Sequence, residues 1–277
     1  MTKLALALLA AAALPLAAAD WSDTYLGYRY GTQFREPGID GTVEKNILQL
    51  THASGWAYGS NFFNVDMLMS APNDPAANGT TGAHEVYAVY RGSLSMGKIH
   101  KKDFSFGPVR DVSVTAGFDF NSKDNTFASR KRLLVLGPTL NFKVPAGFFD
   151  LGLWASHEQN YNGIVGQAVD FKTTWMVAAA WGIPFQMGPV GAEFKGYANY
   201  IGAKGKDGFG VDTKPETLAN LSVLVDVTPI FGGKGKVYAG AGFEYWNNKF
   251  GGANHDGPAP LTNKRVTAPM AQLQIHF

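Results

Sequence analysis

Charged and aromatic side chains recur at every second position in several long segments of this sequence, the spacing of residues on one face of a β-strand. Glu193, Lys195 and Tyr197 follow this spacing in one segment, and Tyr25 and Arg29 share a face in another. An excess of Arg and Lys would indicate an anionic solute, but here both charge signs occur among aromatic rings. The mixture favours a neutral polar solute whose flat ring stacks on an aromatic side chain while charged groups hold its hydroxyls.

We predict that a solute contacts the polar faces of these segments, with Phe62 as a stacking platform and Asp66, Glu85 and Arg91 holding hydroxyls near it. The full candidate set is Tyr25, Arg29, Phe62, Asp66, Glu85, Arg91, Glu193, Lys195, Tyr197, Glu244 and Trp246. A structural role is the alternative for each of them, because a charge inside a protein must be hydrated or paired whatever passes by.

Catalytic and metal-binding patterns are weak in this sequence. A membrane-embedded hydrolase would need a serine beside His84 or His157 on the apolar face, and Ser156 points the opposite way from His157. Asn254-His255-Asp256 lies in a Gly/Pro-rich stretch and is interpreted as a turn rather than a metal site. Cysteine is absent, so no Cys-based nucleophile or metal site exists, and we predict no cofactor.

Twelve segments with a period of two must position these residues. Each is about 11 to 16 residues long, whereas strands of soluble domains are usually about 5 to 6 residues long. The predicted strands are Asp23 to Arg35, Glu44 to Ser54, Tyr58 to Ser70, Ala83 to Lys98, Val109 to Asn121, Arg130 to Lys143, Phe148 to Tyr161, Ala168 to Ile183, Val190 to Ala203, Glu216 to Val227, Lys236 to Phe250 and Lys264 to Phe277.

The connections between these strands alternate in length. Connections after odd-numbered strands include long stretches rich in Gly, Pro, Asn and Asp, whereas those after even-numbered strands are mostly tight. An even number of long strands with short turns at one end and long loops at the other is typical of a bacterial outer-membrane barrel. Composition agrees, with 33 glycines, 13% aromatic and 17% charged residues, and the net charge of +2 argues against a nucleic-acid partner.

The two ends of the chain fit this fold class. Residues 1–19 contain Lys3, an apolar stretch from Leu4 to Leu16 and small residues in cleavage register, which predicts a secretory signal. Residues 20–277 are then a single all-β domain, a transmembrane antiparallel up-and-down barrel of twelve strands. The final AQLQIHF alternates strictly and resembles the terminal recognition signal of outer-membrane barrels, which makes the barrel assembly machinery a predicted partner.

Three stretches resemble the nucleoside-specific channel-forming outer-membrane proteins of the Tsx type. They are YRYGTQFREPG in the first strand, GSNFFNVDML in the third strand, and DFSFGP from Asp103 to Pro108 before the fifth strand. The resemblance implies a monomeric barrel of twelve strands whose narrow lumen passes nucleosides and whose outer loops can serve phages as a receptor. It also places Phe62 and Asp66 in a segment that contributes to the lumen.

From the residues and the resemblance together, we predict a passive channel in the bacterial outer membrane for nucleosides or similar small neutral polar solutes, surrounded by outer-membrane lipid. The alternatives are a general or acidic-sugar porin, a surface receptor for phage with an incidental pore, and, less favoured, an outer-membrane hydrolase.

Overall fold

The chain forms a sheet of long strands, and the computed structural model describes residues 19–231, 236–252 and 265–277. The predicted signal (residues 1–19) lies outside the described residues except for Ala19, as does Asn254-His255-Asp256. The strands are β1 (Trp21–Phe34), β2 (Val43–Trp56), β3 (Gly59–Ser70), β4 (His84–Ser95), β5 (Val109–Lys123), β6 (Arg132–Phe142), β7 (Phe148–Asn162), β8 (Gln167–Asp170), β9 (Thr174–Met187), β10 (Val190–Ile201), β11 (Glu216–Asp226), β12 (Lys236–Asn247) and β13 (Val266–His276).

The described helices are short and lie in connections. They are α1 (Met96–His100), α2 (Thr228–Phe231) and a 3₁₀ turn at Lys249–Gly251. No helix among the described residues is long and apolar enough to cross a membrane.

The sheet closes on itself into a barrel wall of twelve strands, as predicted. Each wall strand pairs antiparallel with the next, and β13 closes against β1 in a register that runs from Tyr25 opposite His276 to Tyr30 opposite Ala271. The backbone N–H of Phe277 donates to the carbonyl of Thr24 at 2.9 Å, so the chain end belongs to the seam of the barrel. Closure pairs the edge strands with each other, which removes the exposed sheet edges.

The predicted eighth strand, Ala168 to Ile183, is interrupted in the structure. The faces that unbroken alternation predicts for Asp170 and Phe171 are therefore wrong. The short β8 pairs with the end of β7, and residues 171–173 then separate it from β9. This break shifts the alternation by one residue. Unbroken alternation through Ala168 to Ile183 predicts that Asp170 faces inward, but Asp170 lies beside the outward-facing His157 at 3.2 Å. The same alternation predicts that Phe171 faces outward, but its ring is buried beneath the ammonium group of Lys204.

The two ends of the barrel differ, and we call them the turn end and the loop end. At the turn end β2 and β3 are joined by residues 57–58, and β9 and β10 by residues 188–189. The connection from β4 to β5 is the longer exception, and it contains α1 and the DFSFGP stretch. There Asp103 accepts hydrogen bonds from Ser105, which lower the pKa of this carboxyl. Long connections such as residues 71–83 and 202–215 form the loop end.

The outer wall is apolar, as predicted from the alternation. Large side chains such as Leu26, Leu136, Leu153 and Ile275 point outward and are exposed. On a membrane protein such a surface faces lipid, and burial of these groups in hydrocarbon takes the place of a soluble core.

The interior also holds apolar side chains, which the alternation along the strands does not indicate. One cluster comprises Phe34, Val43, Ile47, Val266, Ala268 and Met270 on β1, β2 and β13. The other comprises Leu133, Val135, Trp154, Met176, Ala178 and Ile201 on β6, β7, β9 and β10. Both clusters are buried and lie on opposite sides of the closed wall, so packed side chains fill part of the lumen.

Candidate solute pathway

All the residues predicted to contact a solute lie at inward-facing positions, whereas solute binding itself stays a prediction. Cross-strand pairing brings several of them side by side. Phe62 on β3 pairs with Arg91 on β4. Asn220 on β11 lies between Tyr197 on β10 and Glu244 on β12. The strand period therefore identified the inner face correctly, and the contacts below show which of these side chains already have partners.

At the turn end, rings and charges surround Tyr25. His276 stacks on the Tyr25 ring with 4.7 Å between ring centres, and the Lys195 ammonium lies 4.6 Å from the centre of the same ring. Lys195 also forms an ion pair with Glu193 at 3.1 Å. Three strands separate β10 from β1 in the wall, so Lys195 reaches across part of the lumen to make this contact. Tyr25, Lys195 and Glu193 therefore narrow the passage at this level.

A cavity of about 620 Å³ opens beside these rings at the turn end. Its lining includes Asp23, Glu193, Lys236, Tyr238 and His276. His276 Nδ1 lies 2.9 Å from Asp23 Oδ1, a contact that also joins the last strand to the first. The volume falls in the range of about 300 to 1,000 Å³ that is usual for small-molecule sites, so a small solute fits here.

Ion pairs between nearby strands line the inner wall near the middle of the barrel. Arg29 on β1 donates a short hydrogen bond to Asp66 on β3. Arg91 pairs with Asp119 at 2.7 Å and donates to two backbone carbonyls, while its guanidinium lies 5.6 Å from the ring centre of Trp154. Arg29, Asp66 and Arg91 are thus occupied by internal partners. This pairing offsets the cost of placing their charges in a partly desolvated interior.

Three of the predicted residues remain open to a solute. Phe62 and Tyr197 expose 40% and 39% of their surface, and they lie on β3 and β10, which are on opposite sides of the closed wall. Neither makes a side-chain hydrogen bond or ring contact with another described residue. Glu244 has one long contact, 3.5 Å from Asn220 Nδ2 to Glu244 Oε2. Two aromatic faces and a carboxylate acceptor are therefore available in the lumen.

A buried group of charges closes part of the loop end, and we call Glu36, Lys45, Asp74, Lys123 and Lys249 the Glu36 cluster. Glu36 accepts a short hydrogen bond from Lys45, and its carboxylate lies 2.9 Å from Lys249 and 3.5 Å from Lys123. Lys123 is also 2.7 Å from Asp74. Burial alone would raise the pKa of Glu36, but the three ammonium groups outweigh burial and hold that pKa well below its ordinary value.

A second buried group at the loop end, the Glu158 cluster, comprises Glu158, Lys131 and Lys204. The ammonium of Lys204 lies 2.5 Å from the Glu158 carboxylate, and that of Lys131 lies 3.8 Å from it. The remaining two predicted residues have partners at this level, since Glu85 accepts from Asn121 and the Trp246 indole donates to Glu216 at 2.7 Å. The mouth of the barrel at the loop end is therefore narrowed by paired charges.

The strand period does not reveal the Glu36 cluster, because three of its members lie in connections, where no such period applies. The strand period does indicate that Lys123 faces inward, because β5 extends two residues beyond its predicted end at Asn121.

The described residues do not bring Ser156 and His157 into the contact that a serine hydrolase requires. Ser156 is buried and faces inward, whereas His157 faces outward between Asp170 and Thr173, with 3.3 Å from its Nδ1 to the threonine hydroxyl. The nucleophile position beside this histidine therefore holds a threonine. The described residues also contain no group of three or more His, Asp or Glu that could hold a metal ion.

The closed twelve-stranded wall, its apolar outer face and its partly filled lumen define the architecture of outer-membrane barrels. Among solved structures, the chain is similar to a KdgM porin at 10% identity and a TM-score of 0.42, covering 91% of this chain and 99% of that chain. It is similar to the translocator domain of the autotransporter NalP from Neisseria meningitidis at 13% identity and a TM-score of 0.47, covering 100% and 97%. Its likeness to the outer membrane protein OpdK from Pseudomonas aeruginosa has 9% identity and a TM-score of 0.28, covering 92% and 97%.

At these values the likenesses support no functional statement about this chain. No protein-family model matches the sequence, and no curated protein matches it. The resemblance to the nucleoside-specific channels therefore rests on the three sequence stretches and stays a prediction.

Proposed function

We propose that the protein is a passive channel of the bacterial outer membrane for small polar solutes with a flat ring, nucleosides foremost. In such barrels the short turns face the periplasm and the long loops face the exterior. The turn end is then the periplasmic exit, and the loop end with its two ionic clusters is the entrance. Part of the lumen is filled, which favours solutes of limited width.

The observation that carries the proposal is the open pair of aromatic residues, Phe62 and Tyr197. The charges around them are paired with each other, so these rings are the surfaces on which a solute can bind without displacing a protein partner. Stacking of a base on an aromatic side chain contributes about 1 to 3 kcal/mol. Glu244 supplies an acceptor for a ribose hydroxyl. A pore site must also release its solute, so millimolar to micromolar affinity is expected, about −4 to −8 kcal/mol.

The test is block of single-channel current by nucleosides in planar bilayers. Phe62→Ala should weaken the block by about fivefold or more, the lower end of the stacking contribution, while the small-ion current stays nearly unchanged. Phe63→Ala is a matched control, because the neighbouring ring faces lipid and its removal should leave the block intact. Equal block in the wild type and Phe62→Ala would contradict the assigned stacking site.

A porin for acidic sugars is the second candidate, and the loop-end charges favour it. The Glu36 cluster and the Glu158 cluster place five lysine ammonium groups at the entrance, and a sugar carboxylate can pair with such groups. Current block by a panel of nucleosides, neutral sugars and sugar acids separates the candidates. If sugar acids block the wild-type pore and nucleosides do not, the nucleoside assignment is wrong and the acidic-sugar porin replaces it.

A further inference from the structure

The basic run from Ser129 to Arg132 divides between the two sides of the barrel wall. Lys131 is buried and directs its ammonium toward Glu158 inside the lumen. Arg130 and Arg132 are exposed on the other side. Arg132 pairs in register with Phe120 on β5, whose ring is exposed on the outer wall. Two guanidinium groups of this run therefore emerge on the surface that faces lipid.

Neither outward guanidinium is neutralised by the protein. Arg130 lies over the Tyr161 ring, with 4.7 Å between the guanidinium carbon and the ring centre, and neither arginine forms an ion pair with a carboxylate in the described part of the chain. The two residues are separated by two positions of extended chain, about 7 Å. Because arginine side chains are long, both guanidinium groups can reach one anionic group between them.

The surface nearer the middle of the wall is apolar. Phe120, Leu134 and Leu136 are all exposed on the outer face, and the two leucines follow Arg132 along β6 at successive outward positions. The order along the wall is thus cations at the loop end and aliphatic and aromatic groups toward the centre. A lipid with an anionic headgroup and acyl chains has the complementary order.

We propose that Arg130 and Arg132 form a binding site for the phosphorylated headgroup of an outer-leaflet lipid, whose acyl chains lie along Phe120, Leu134 and Leu136. Arginine suits this role because its planar fork donates paired hydrogen bonds to phosphate oxygens. The site rests on the proposed membrane orientation, with the loop end at the outer leaflet, and it is independent of the solute that the channel passes.

The test is lipid binding to the folded full barrel in uncharged detergent micelles, measured by native mass spectrometry. The probes are a bis-phosphorylated glycolipid, the same glycolipid with both phosphates removed, and inorganic phosphate. Each basic residue near an anionic membrane surface contributes about a fivefold gain in affinity. The Arg130→Ser, Arg132→Ser double variant should therefore bind the phosphorylated lipid at least tenfold more weakly, and inorganic phosphate should not compete.

Arg265→Ser is the matched control, because Arg265 is exposed just before β13 at the same end of the barrel and on the opposite side from β6. It should bind the lipid within about twofold of the wild type, since the charge it removes lies far from the site. Equal binding by the double variant and the wild type would overturn the proposal, and so would equal binding of the dephosphorylated lipid. Channel activity in the double variant shows whether the barrel and its pore are intact, so a failure of this site is distinct from a failure of the proposed function.

Discussion

Removal of the carboxylate at the centre of the Glu36 cluster should destabilise the loop end strongly. Glu36→Gln keeps the shape of the side chain but leaves Lys45, Lys123 and Lys249 without their shared counter-charge. The Glu36 side chain is 6% exposed, and those of Lys45, Lys123 and Lys249 are 3%, 6% and 4% exposed. Water therefore cannot take the place of the lost carboxylate beside the ammonium groups. At the separations found here, each ion pair gives roughly 5 kcal/mol of gross attraction at an effective dielectric constant of about 20.

Desolvation offsets much of that attraction, and loss of one partner from a buried ion pair typically costs about 3 to 5 kcal/mol. We therefore expect the free energy of unfolding of Glu36→Gln to fall by about that amount at neutral pH. The assay is urea unfolding of the barrel in micelles, followed by intrinsic tryptophan fluorescence. Glu44→Gln is the control, because Glu44 is exposed on the outer side of β2 near the same end and its loss should have little effect.

The same carboxylate sets a pH dependence with a defined sign. The pKa of Glu36 in the folded state lies well below its ordinary value. The carboxylate therefore contributes to the free energy of unfolding above its unfolded-state pKa of about 4.3, and this contribution is lost as the pH falls through the lower folded-state pKa. The stability difference between wild type and Glu36→Gln should thus persist from pH 8 to pH 5 and shrink in stronger acid. A difference below about 1 kcal/mol at pH 7, well under the cost of breaking a buried pair, would refute the assignment of Glu36 as the centre of a stabilising cluster.

Two further predictions concern assembly and the faces of the wall. Phe277→Asp places a charge at the apolar chain end beside the seam, so the protein should accumulate unassembled. Normal heat-modifiable migration and normal membrane yield for this variant would contradict the role of the terminal strand. Val177→Arg, on the outward face of β9, should destabilise insertion by about 2 to 4 kcal/mol, whereas Thr174→Arg on the inward face should mainly change conductance or ion selectivity. If insertion yield and conductance respond alike in the two variants, the assignment of inward and outward faces is wrong.

The period of two predicted the number of strands and most inward positions, because a one-residue shift would reverse every face of a strand at once. The lengths of the connections predicted that the long loops share one end of the barrel. Where the period is absent, prediction failed for identifiable reasons. The run from Leu133 to Leu136 is apolar at every position, so alternation could not show that Leu133 and Val135 face an internal cluster. The break at residues 171–173 reversed the expected faces of Asp170 and Phe171.

The sequence also did not predict which ion-pair partners the inward residues have. Arg29 and Asp66 lie on strands separated by β2, and their contact depends on the stagger of the closed sheet as well as on their faces. Glu36 meets Lys249 through two different connections, far apart in the chain. Such contacts form only once the loops have folded. Local residue patterns do not predict which loops meet when they are far apart in the chain.

In the proposed channel, the division between paired and open side chains would let a polar lumen discriminate solutes by their shape. A fixed charge that already has a buried partner interacts weakly with a passing ion, because the ion would have to compete with a contact of about 3 Å in a partly desolvated interior. In the proposed channel, the loop-end lysines can act only at the entrance, through the rate at which charged and dipolar solutes approach it. We expect passage beyond the entrance to depend on the width left by the internal apolar clusters and by Lys195 against Tyr25, and on stacking at Phe62 and Tyr197. The proposed function thus assigns entry to charge and transit to ring surface, which is why nucleosides and sugar acids must be compared at the same pore.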